Sequence, residues 1–521
     1  MKRISLLALT ALTTLAACRE DGTERRISID DMVPGGIQVY LNPHGITPLA
    51  AAVSLETEHP SLIELTVLGT FPVTNASTEM TPRHDSLPLL GLYENLANQV
   101  AVKITDSKNR VAYDTLTVTT GASYAGNPDV TVSMRNNSQR EDAFYLADLH
   151  FGTTGIFQSR PAVFDANGNI RWQLDLSGFT DIAWPLKKTP RGTVMFVNGH
   201  HLYEYSMLGK ALNAYDLGIY SAHHDWVEMP NGRFLILAYR TGKNITIASG
   251  TQSSIEDQVI EYDPVTRSVL TEWDLTQILD VDRTDLQDGG IDWFHANSVF
   301  YDERDQSIIV SGRNQGVVKI DWNNNLQWIL APHQGWGNAG RDGSGQPTAP
   351  YLLTAVDANG QPYANGVQQG TDFHPGFDWP FAQHNANVLD NGHVLLLDNG
   401  FNRRLDPTIP LSSCYSRIVE YDIDETQKTV RQDWSWGQAE GYGLYSVIIS
   451  SAAQLPQTGN YLMGSGFIMS TTPLSARIIE LQSSTKAKVF DAELSFKNAT
   501  GNGVFGWGTI DIMYRVQSFT F

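Results

Sequence analysis

One pattern recurs six times in this chain and constrains its fold more than any other feature. An apolar pair and an acidic or polar residue lead into a turn, and a strand bearing an aromatic residue or an aspartate follows. The copies are VFDANGNIRWQLDL from Val163, LYEYSMLGKALNAYDL from Leu202, VIEYDPVTRSVLTEWDL from Val259, VVKIDWNNNLQWIL from Val317, IVEYDIDETQKTVRQDW from Ile418 and IIELQSSTKAKVFDAEL from Ile478. Each reads as a β-hairpin, two short β-rich runs joined by Asn, Gly or Asp. Start-to-start spacings of 39, 57, 58, 101 and 60 residues, with no helical periodicity between copies, predict a β-propeller. Six copies predict six blades, over residues 140–521. The widest gap has room for a seventh, but residues 332–381, rich in Gly, Pro and Gln, read instead as an insertion that forms a lid or a wall of a site.

Upstream, residues 35–121 alternate apolar and polar positions in short runs (IQVYL, AAVSLE, IELTVLG, VAVKIT, AYDTLTVTT). Gly, Pro and Asn punctuate them, which predicts a small antiparallel β-sandwich of Ig-like size. Residues 121–140 read as a turn-rich linker. The expected fold is therefore all-β, with a sandwich preceding a six-bladed propeller. A length of 521 residues fits more than one domain, and 41% hydrophobic with 18% charged residues excludes a disordered or coiled-coil chain. With 36 Lys+Arg against 56 Asp+Glu, the formal charge of −20 argues against nucleic acid as a partner.

The first residues read as an address. Lys2 and Arg3 precede an apolar run from Ile4 to Ala17, too short to span a bilayer and suited to a secretory signal peptide. The run ends Leu15-Ala16-Ala17-Cys18, which resembles a bacterial lipobox. Residues 1–17 are then a lipoprotein signal peptide, Cys18 is the lipidated N-terminus, and residues 18–34 are a polar tether. The competing reading is an ordinary signal peptide cleaved near Ala17. The expected location is the periplasmic side of a membrane, held by the lipid. Arg19 rather than an aspartate after Cys18 favours the outer membrane. Cys414, the second of two cysteines, has no partner for a disulfide and reads as a buried, inert thiol.

Chemistry is expected between the hairpins. His224 and His384 each stand seven residues before an Asn-Gly turn, at Asn231-Gly232 and Asn391-Gly392. His295-Ala296-Asn297 opens a third such segment, which leads to Ser311-Gly312-Arg313. Equivalent positions of repeated blades lie at equivalent radial positions, so three histidines at strand starts converge on one end of the central channel. A lone histidine before a turn is commonly a satisfied surface residue; three in register with an arginine point to function. His223, His200 and His201 lack the register and read as structural, with His223 in reserve. Zinc is one use for three imidazoles, but a guanidinium beside them repels a dication and no HExxH motif is present. A tetrahedral oxyanion suits the set better, with the arginine fork on two oxygens and imidazoles as nucleophile, acid and base. No Walker loop is present, so nucleoside phosphates are not expected. Trp226, Trp293, Phe294, Phe377, Trp379 and Phe381 flank the motifs as aryl-pocket or blade-packing residues.

At these residues the chain resembles the bacterial arylsulfate sulfotransferases, the exported kind that uses aryl sulfates rather than a nucleotide donor. Asn42-Pro43-His44-Gly45-Ile46-Thr47-Pro48-Leu49, Gly91-Leu92-Tyr93 with Asn98-Gln99-Val100, and the segments around His224, His295, Arg313 and Gln383-His384 carry the likeness over nearly all the mature chain. The resemblance implies a six-bladed propeller behind an N-terminal sandwich. It also implies ping-pong transfer from an aryl sulfate donor to a phenolic acceptor, without metal or other cofactor. Carried over, His384 is the nucleophile that becomes sulfohistidine. His295 and Arg313 bind sulfuryl oxygens, Asn297 orients and binds substrate, and His224 binds oxygen or shuttles the phenolic proton. The family is often dimeric, which makes a homodimer one expectation. Two departures stand out: some members carry a disulfide beside the site, which Cys414 alone does not supply, and those members are soluble in the periplasm. A non-catalytic lipoprotein scaffold and aryl sulfate hydrolysis are the competing functions.

Overall fold

The computed structural model describes residues 25–521 apart from 154, 248–249, 256, 284–291, 341–342 and 499–507. The signal segment 1–17 and Cys18 lie outside the described residues. Among those described, no helix is long and apolar enough to cross a membrane.

Six antiparallel sheets form the blades of a propeller. The four inner strands of blades 2 to 6 come from successive stretches of chain, and the innermost of each are Trp184–Lys188, Tyr220–Glu228, Ala296–Asp302, His384–Val388 and Ser451–Gln454. Blade 1 is a composite. The last strand, Ile512–Phe519, pairs antiparallel with Phe144–Gly152, from Ile512 opposite His150 to Phe519 opposite Phe144. This pairing closes the ring by joining the two ends of the propeller chain. The six hairpins read from sequence are the third and fourth strands of the blades counted from the channel, for example Gln258–Asp263 with Ser268–Asp274 in blade 3.

Side chains stitch each innermost strand to the next. Lys187 Nζ lies 2.6 Å from Asp225 Oδ1, and Asp225 Oδ2 accepts from Val299 N–H at 3.1 Å. Ser298 Oγ accepts from Ala386 N–H, Asn385 Oδ1 from Ala452 N–H, and Ser451 Oγ from Val516 N–H, at 2.9, 3.0 and 3.1 Å. Gln517 Nε2 donates to Leu186 O at 2.9 Å and completes the circle. Innermost strands cannot hydrogen-bond backbone to backbone across the channel, so these groups satisfy what would otherwise be buried orphans.

The N-terminal domain is the expected sandwich. The strand Ala51–Val67 belongs to both of its layers. Its start lies between Gln38–Leu41 and Thr81–Leu89, and its end between Val73–Ala76 and Ala97–Asp106. The domain is not wholly antiparallel, because Arg25–Arg26 pairs parallel with Arg110 and Val111. Residues 25–34, read as tether, are instead built into the sandwich. Ser28 caps the short helix Ile29–Met32, and Met32 and Val33 are buried. The polar composition of 18–34 hid those two core residues. The linker reading of 121–140 also needs correction. Asp129–Arg135 is a fifth strand on the outer edge of blade 6, paired with Lys488–Ser495, so the propeller sheets begin at 129 rather than 140. Its side chains are largely exposed, which leaves a weak hydrophobic alternation.

The sandwich docks where the outer hairpins of blades 1 and 2 turn, the end opposite the starts of the innermost strands. Buried Arg171 donates to Gly91 O at 2.6 Å and Phe71 O at 2.8 Å and lies 3.7 Å over the Tyr93 ring. Thr47 Oγ1 donates to Leu208 O at 2.8 Å, and Ala50, Ala52 and Leu90 share a core with Leu146, Trp172 and Leu186.

Candidate active site

Each innermost strand of blades 3 to 5 breaks register near its start: between Ala222 and Trp226, between Ala296 and Ser298, and between His384 and Asn387. His224 and Asn385, within two of these bulges, and His295, just before the third, adopt left-handed backbone, with φ of 54°, 56° and 55°. Such a conformation costs a non-glycine residue about 1 kcal/mol or more and persists where surrounding structure enforces it. The three imidazoles stand at or beside these kinks, and all three face the channel end.

The result is a cavity of about 390 Å³ at the end of the propeller away from the sandwich. His224, His295, Arg313 and His384 all line it, so four of the residues singled out from sequence come together. His223, held in reserve, also lines it, with Nδ1 3.1 Å from His224 Nδ1. Asn297 does not. It is fully buried behind the wall, where Nδ2 donates to Gln383 O at 2.7 Å and fixes the backbone that leads into His384. The described residues of 332–381 do not line this cavity either. The segment packs between blades 4 and 5, where Phe377, Trp379 and Phe381 join the core and Thr354–Ala355 adds a parallel edge to blade 5. It is a brace there, and not the expected wall of the histidine cavity.

The His384 ring is held by two oxygens. Its Nδ1 lies 2.7 Å from Asn399 Oδ1 and 3.1 Å from Ala382 O. Asn399 cannot present its amide nitrogen instead, because Nδ2 already donates to Ser446 O at 2.8 Å and Ile449 O at 3.0 Å. Nδ1 therefore carries the hydrogen, and Nε2 keeps the lone pair. Burial, then the charges of Arg313 and His295, hold the His384 pKa well below the ordinary imidazole value. The ring is neutral at pH 7. His295 is held differently, with Nδ1 2.5 Å from the Asp292 carboxylate. Its ring and that of His224 meet edge to face at 4.8 Å.

Beneath the imidazoles, Arg515 pairs with Asp225 at 3.0 Å and donates to Asn297 O at 2.7 Å, and Tyr514 Oη donates to His224 O at 2.8 Å. Trp184, 4.5 Å from His224 ring to ring, joins Ile182, Ala222, Tyr239, Ile448 and Ile449 in an apolar wall. Asp181 sits exposed at the rim. Sequence reasoning did not find Trp184, Tyr239, Asp292, Asn399 or Arg515. They come from other blades and from loops where no repeated register flags them. Cys414 is buried as expected, and burial pushes its thiol pKa up. Trp226, Trp293, Phe294, Phe377, Trp379 and Phe381 are all packing residues.

Fold and site together define a class: a six-bladed propeller whose channel ends in a buried imidazole and guanidinium cavity with an apolar wall. The family model described as Arylsulfotransferase (ASST) matches residues 129–504, and the one described as Arylsulfotransferase Ig-like domain matches residues 38–121. The chain is 32% identical over 509 residues to the arylsulfate sulfotransferase AssT of Escherichia coli O6:H1, an alignment covering 79% of this chain and 82% of that one. It is 31% identical over 505 residues to the arylsulfate sulfotransferase AssT of Lelliottia amnigena, with the same coverage. The chain belongs to the arylsulfotransferase family and is a sulfotransferase. The scaffold reading, which gave the histidines no role, is set aside.

Proposed function

We propose that the protein moves a sulfuryl group from an aryl sulfate to a phenol in two half-reactions, through a sulfohistidine at His384. The observation that carries this reading is the His384 ring: buried, neutral, and fixed by Asn399 so that Nε2 holds the free lone pair. That is the form of an imidazole nucleophile. In the first half-reaction Nε2 attacks sulfur, the bond from sulfur to the aryl oxygen breaks, and the electron pair leaves on that oxygen. Protonated His224 gives its proton to the departing phenolate. In the second, a phenol returns its proton to His224 while its oxygen attacks sulfur, and the pair of the N–S bond goes back to Nε2. Arg313 and His295 bind the sulfuryl oxygens, where charge gathers in both transition states. Asp292 on Nδ1 of His295 fixes that ring and turns its Nε2 outward. Trp184, Tyr239 and the isoleucines suit an aryl ring.

The same reading extends to location. Export and lipidation at Cys18 would tie the chain to a membrane, and the sandwich at the far end of the propeller would turn the cavity away from that anchor. Loss of membrane association in a Cys18→Ser variant tests this.

The deciding assay is nitrophenolate release from 4-nitrophenyl sulfate, with and without phenol, for the wild type and His384→Ala. Phenol-stimulated release is expected, with a fall of more than about 10³-fold in the variant at unchanged folded circular dichroism. Release indifferent to phenol but dependent on His384 would mean hydrolysis. Full activity in the variant would remove His384 from the chemistry.

A further inference from the structure

Asn399 stands where histidine-dependent sites commonly place a carboxylate, and its chemistry differs in one respect. Both groups that receive the His384 Nδ1–H, Asn399 Oδ1 at 2.7 Å and Ala382 O at 3.1 Å, are amide oxygens. An amide oxygen accepts a hydrogen bond but is far too weak a base to take the proton. The contrast lies in the same cavity, where His295 faces the Asp292 carboxylate at 2.5 Å. Asn399 is itself fully buried, and turning its amide over would abandon the bonds to Ser446 O and Ile449 O.

Resting on the reading that His384 takes the sulfuryl group, we propose that Asn399 is a positioning residue that keeps the intermediate as an N-sulfonato-imidazolium, with the sulfuryl group on Nε2 and the proton retained on Nδ1. The electron count is simple. The Nε2 lone pair becomes the N–S bond, so the ring gains a formal positive charge while the sulfonate keeps its negative one. Arg313 faces the sulfonate, and the two amide oxygens face the Nδ1–H. When a phenol attacks, the N–S pair returns to Nε2 and leaves a neutral imidazole that still bears its Nδ1 proton. No proton enters or leaves Nδ1 in the cycle. Loss of that proton would make the leaving group an imidazolate, a much stronger base, and the sulfuryl group would be trapped. A carboxylate at this position would stabilise the imidazolium and slow its discharge. It would also raise the pKa of the free enzyme's ring toward neutrality, adding to the acidic limb of the donor reaction.

The test uses wild-type protein labelled with 15N-histidine and treated with 4-nitrophenyl sulfate without acceptor. A mass gain of one SO3 group on the His384 peptide, with a proton-coupled Nδ1 resonance in the adduct, is the expected result. An adduct whose Nδ1 carries no proton overturns the inference while leaving the sulfohistidine reading intact. No adduct at all overturns both. Asn399→Asp supplies the second arm: donor KM nearly unchanged, phenol-dependent discharge slowed about tenfold or more, and sulfurylated enzyme accumulating in the steady state. Discharge at the wild-type rate from a folded Asn399→Asp enzyme also overturns it. Should that variant not fold, the wild-type resonance decides alone.

Discussion

Two buried charge clusters sit side by side in blade 5, and they are handled in opposite ways. In one, Asp378, Asp398, Arg403 and Arg417 interlock: Arg403 reaches Asp378 at 2.7 Å and Asp398 at 3.0 Å, and Arg417 reaches Asp398 at 2.7 Å. Burial alone would pull both guanidinium pKa values down, but the carboxylates and nearby tyrosines outweigh it and push them up. In the other, His384 meets an amide oxygen in place of a carboxylate, and its pKa is driven down. Consecutive residues divide the work. Asp398 closes the first cluster and Asn399 supports the second. A cluster neutralised from within is fixed scaffold, whereas one left with cationic groups facing a cavity has its electrostatic demand met by an anionic substrate.

Breaking the first cluster should produce the largest loss of stability. Asp398→Ala takes from Arg417 the carboxylate it pairs with, leaves Arg403 on Asp378, and removes the acceptor of Phe381 N–H at 2.9 Å. Removal of one partner from a buried pair costs about 3–5 kcal/mol, so the denaturation midpoint should fall clearly. His384→Ala should leave that midpoint nearly unchanged. Equal midpoints for the two variants would break the distinction between scaffold and working cluster.

Arg313→Gln probes the second cluster. Loss of one donor to a developing oxyanion costs about 10²–10³-fold in kcat, with little effect on the denaturation midpoint. The pH dependence carries its own sign. In the proposed mechanism His384 must be neutral to attack, and its depressed pKa places the acidic limb of donor kcat/KM below pH 6.5. Arg313 is one of the charges that depress it, so the acidic limb of the variant should move upward, toward the ordinary imidazole range. A downward shift would mean that Arg313 does not act on His384 through its charge.

The same division explains what the sequence made legible. The six outer hairpins were readable because each keeps its turn and its strand alternation within one short stretch, as in Val317 to Leu330. The innermost strands were readable only at their histidines, since the bulges at or beside them follow from packing against neighbouring blades. Asn399 and Asp398 are two residues in an ordinary Asp-Asn-Gly run, and nothing local separates their roles. Asp292 lies three residues before His295, yet an acid at that spacing outside a helix predicts no contact. Arg515 reaches Asp225 across 290 residues of chain, and only closure of the ring brings them together.

The smallest effect expected concerns the rim. Histidines and Tyr239 aside, Asp181 and Arg313 are the ionisable residues that line the cavity, and they are of opposite sign. Asp181 Oδ1 accepts from Ile182 N–H at 2.8 Å, and Asn198 Nδ2 donates to Asp181 O at 2.8 Å, so the carboxylate is held in place at the mouth. In the proposed mechanism the acceptor hydroxyl lies toward His384, which would direct a para substituent outward, toward that mouth. Tyramine and 4-hydroxyphenylacetate share a phenol and a short tail and differ in the sign of the tail's charge. The wild type should favour tyramine in acceptor kcat/KM, and Asp181→Asn should narrow the ratio about threefold, the scale of one solvent-exposed ion pair. 4-Ethylphenol, which has no tail charge, should respond little to the substitution, and the effect should fade at high salt. An unchanged ratio would mean that the acceptor's tail leaves the cavity by another side, and the opposition of a cationic floor to an anionic rim would then play no part in acceptor choice.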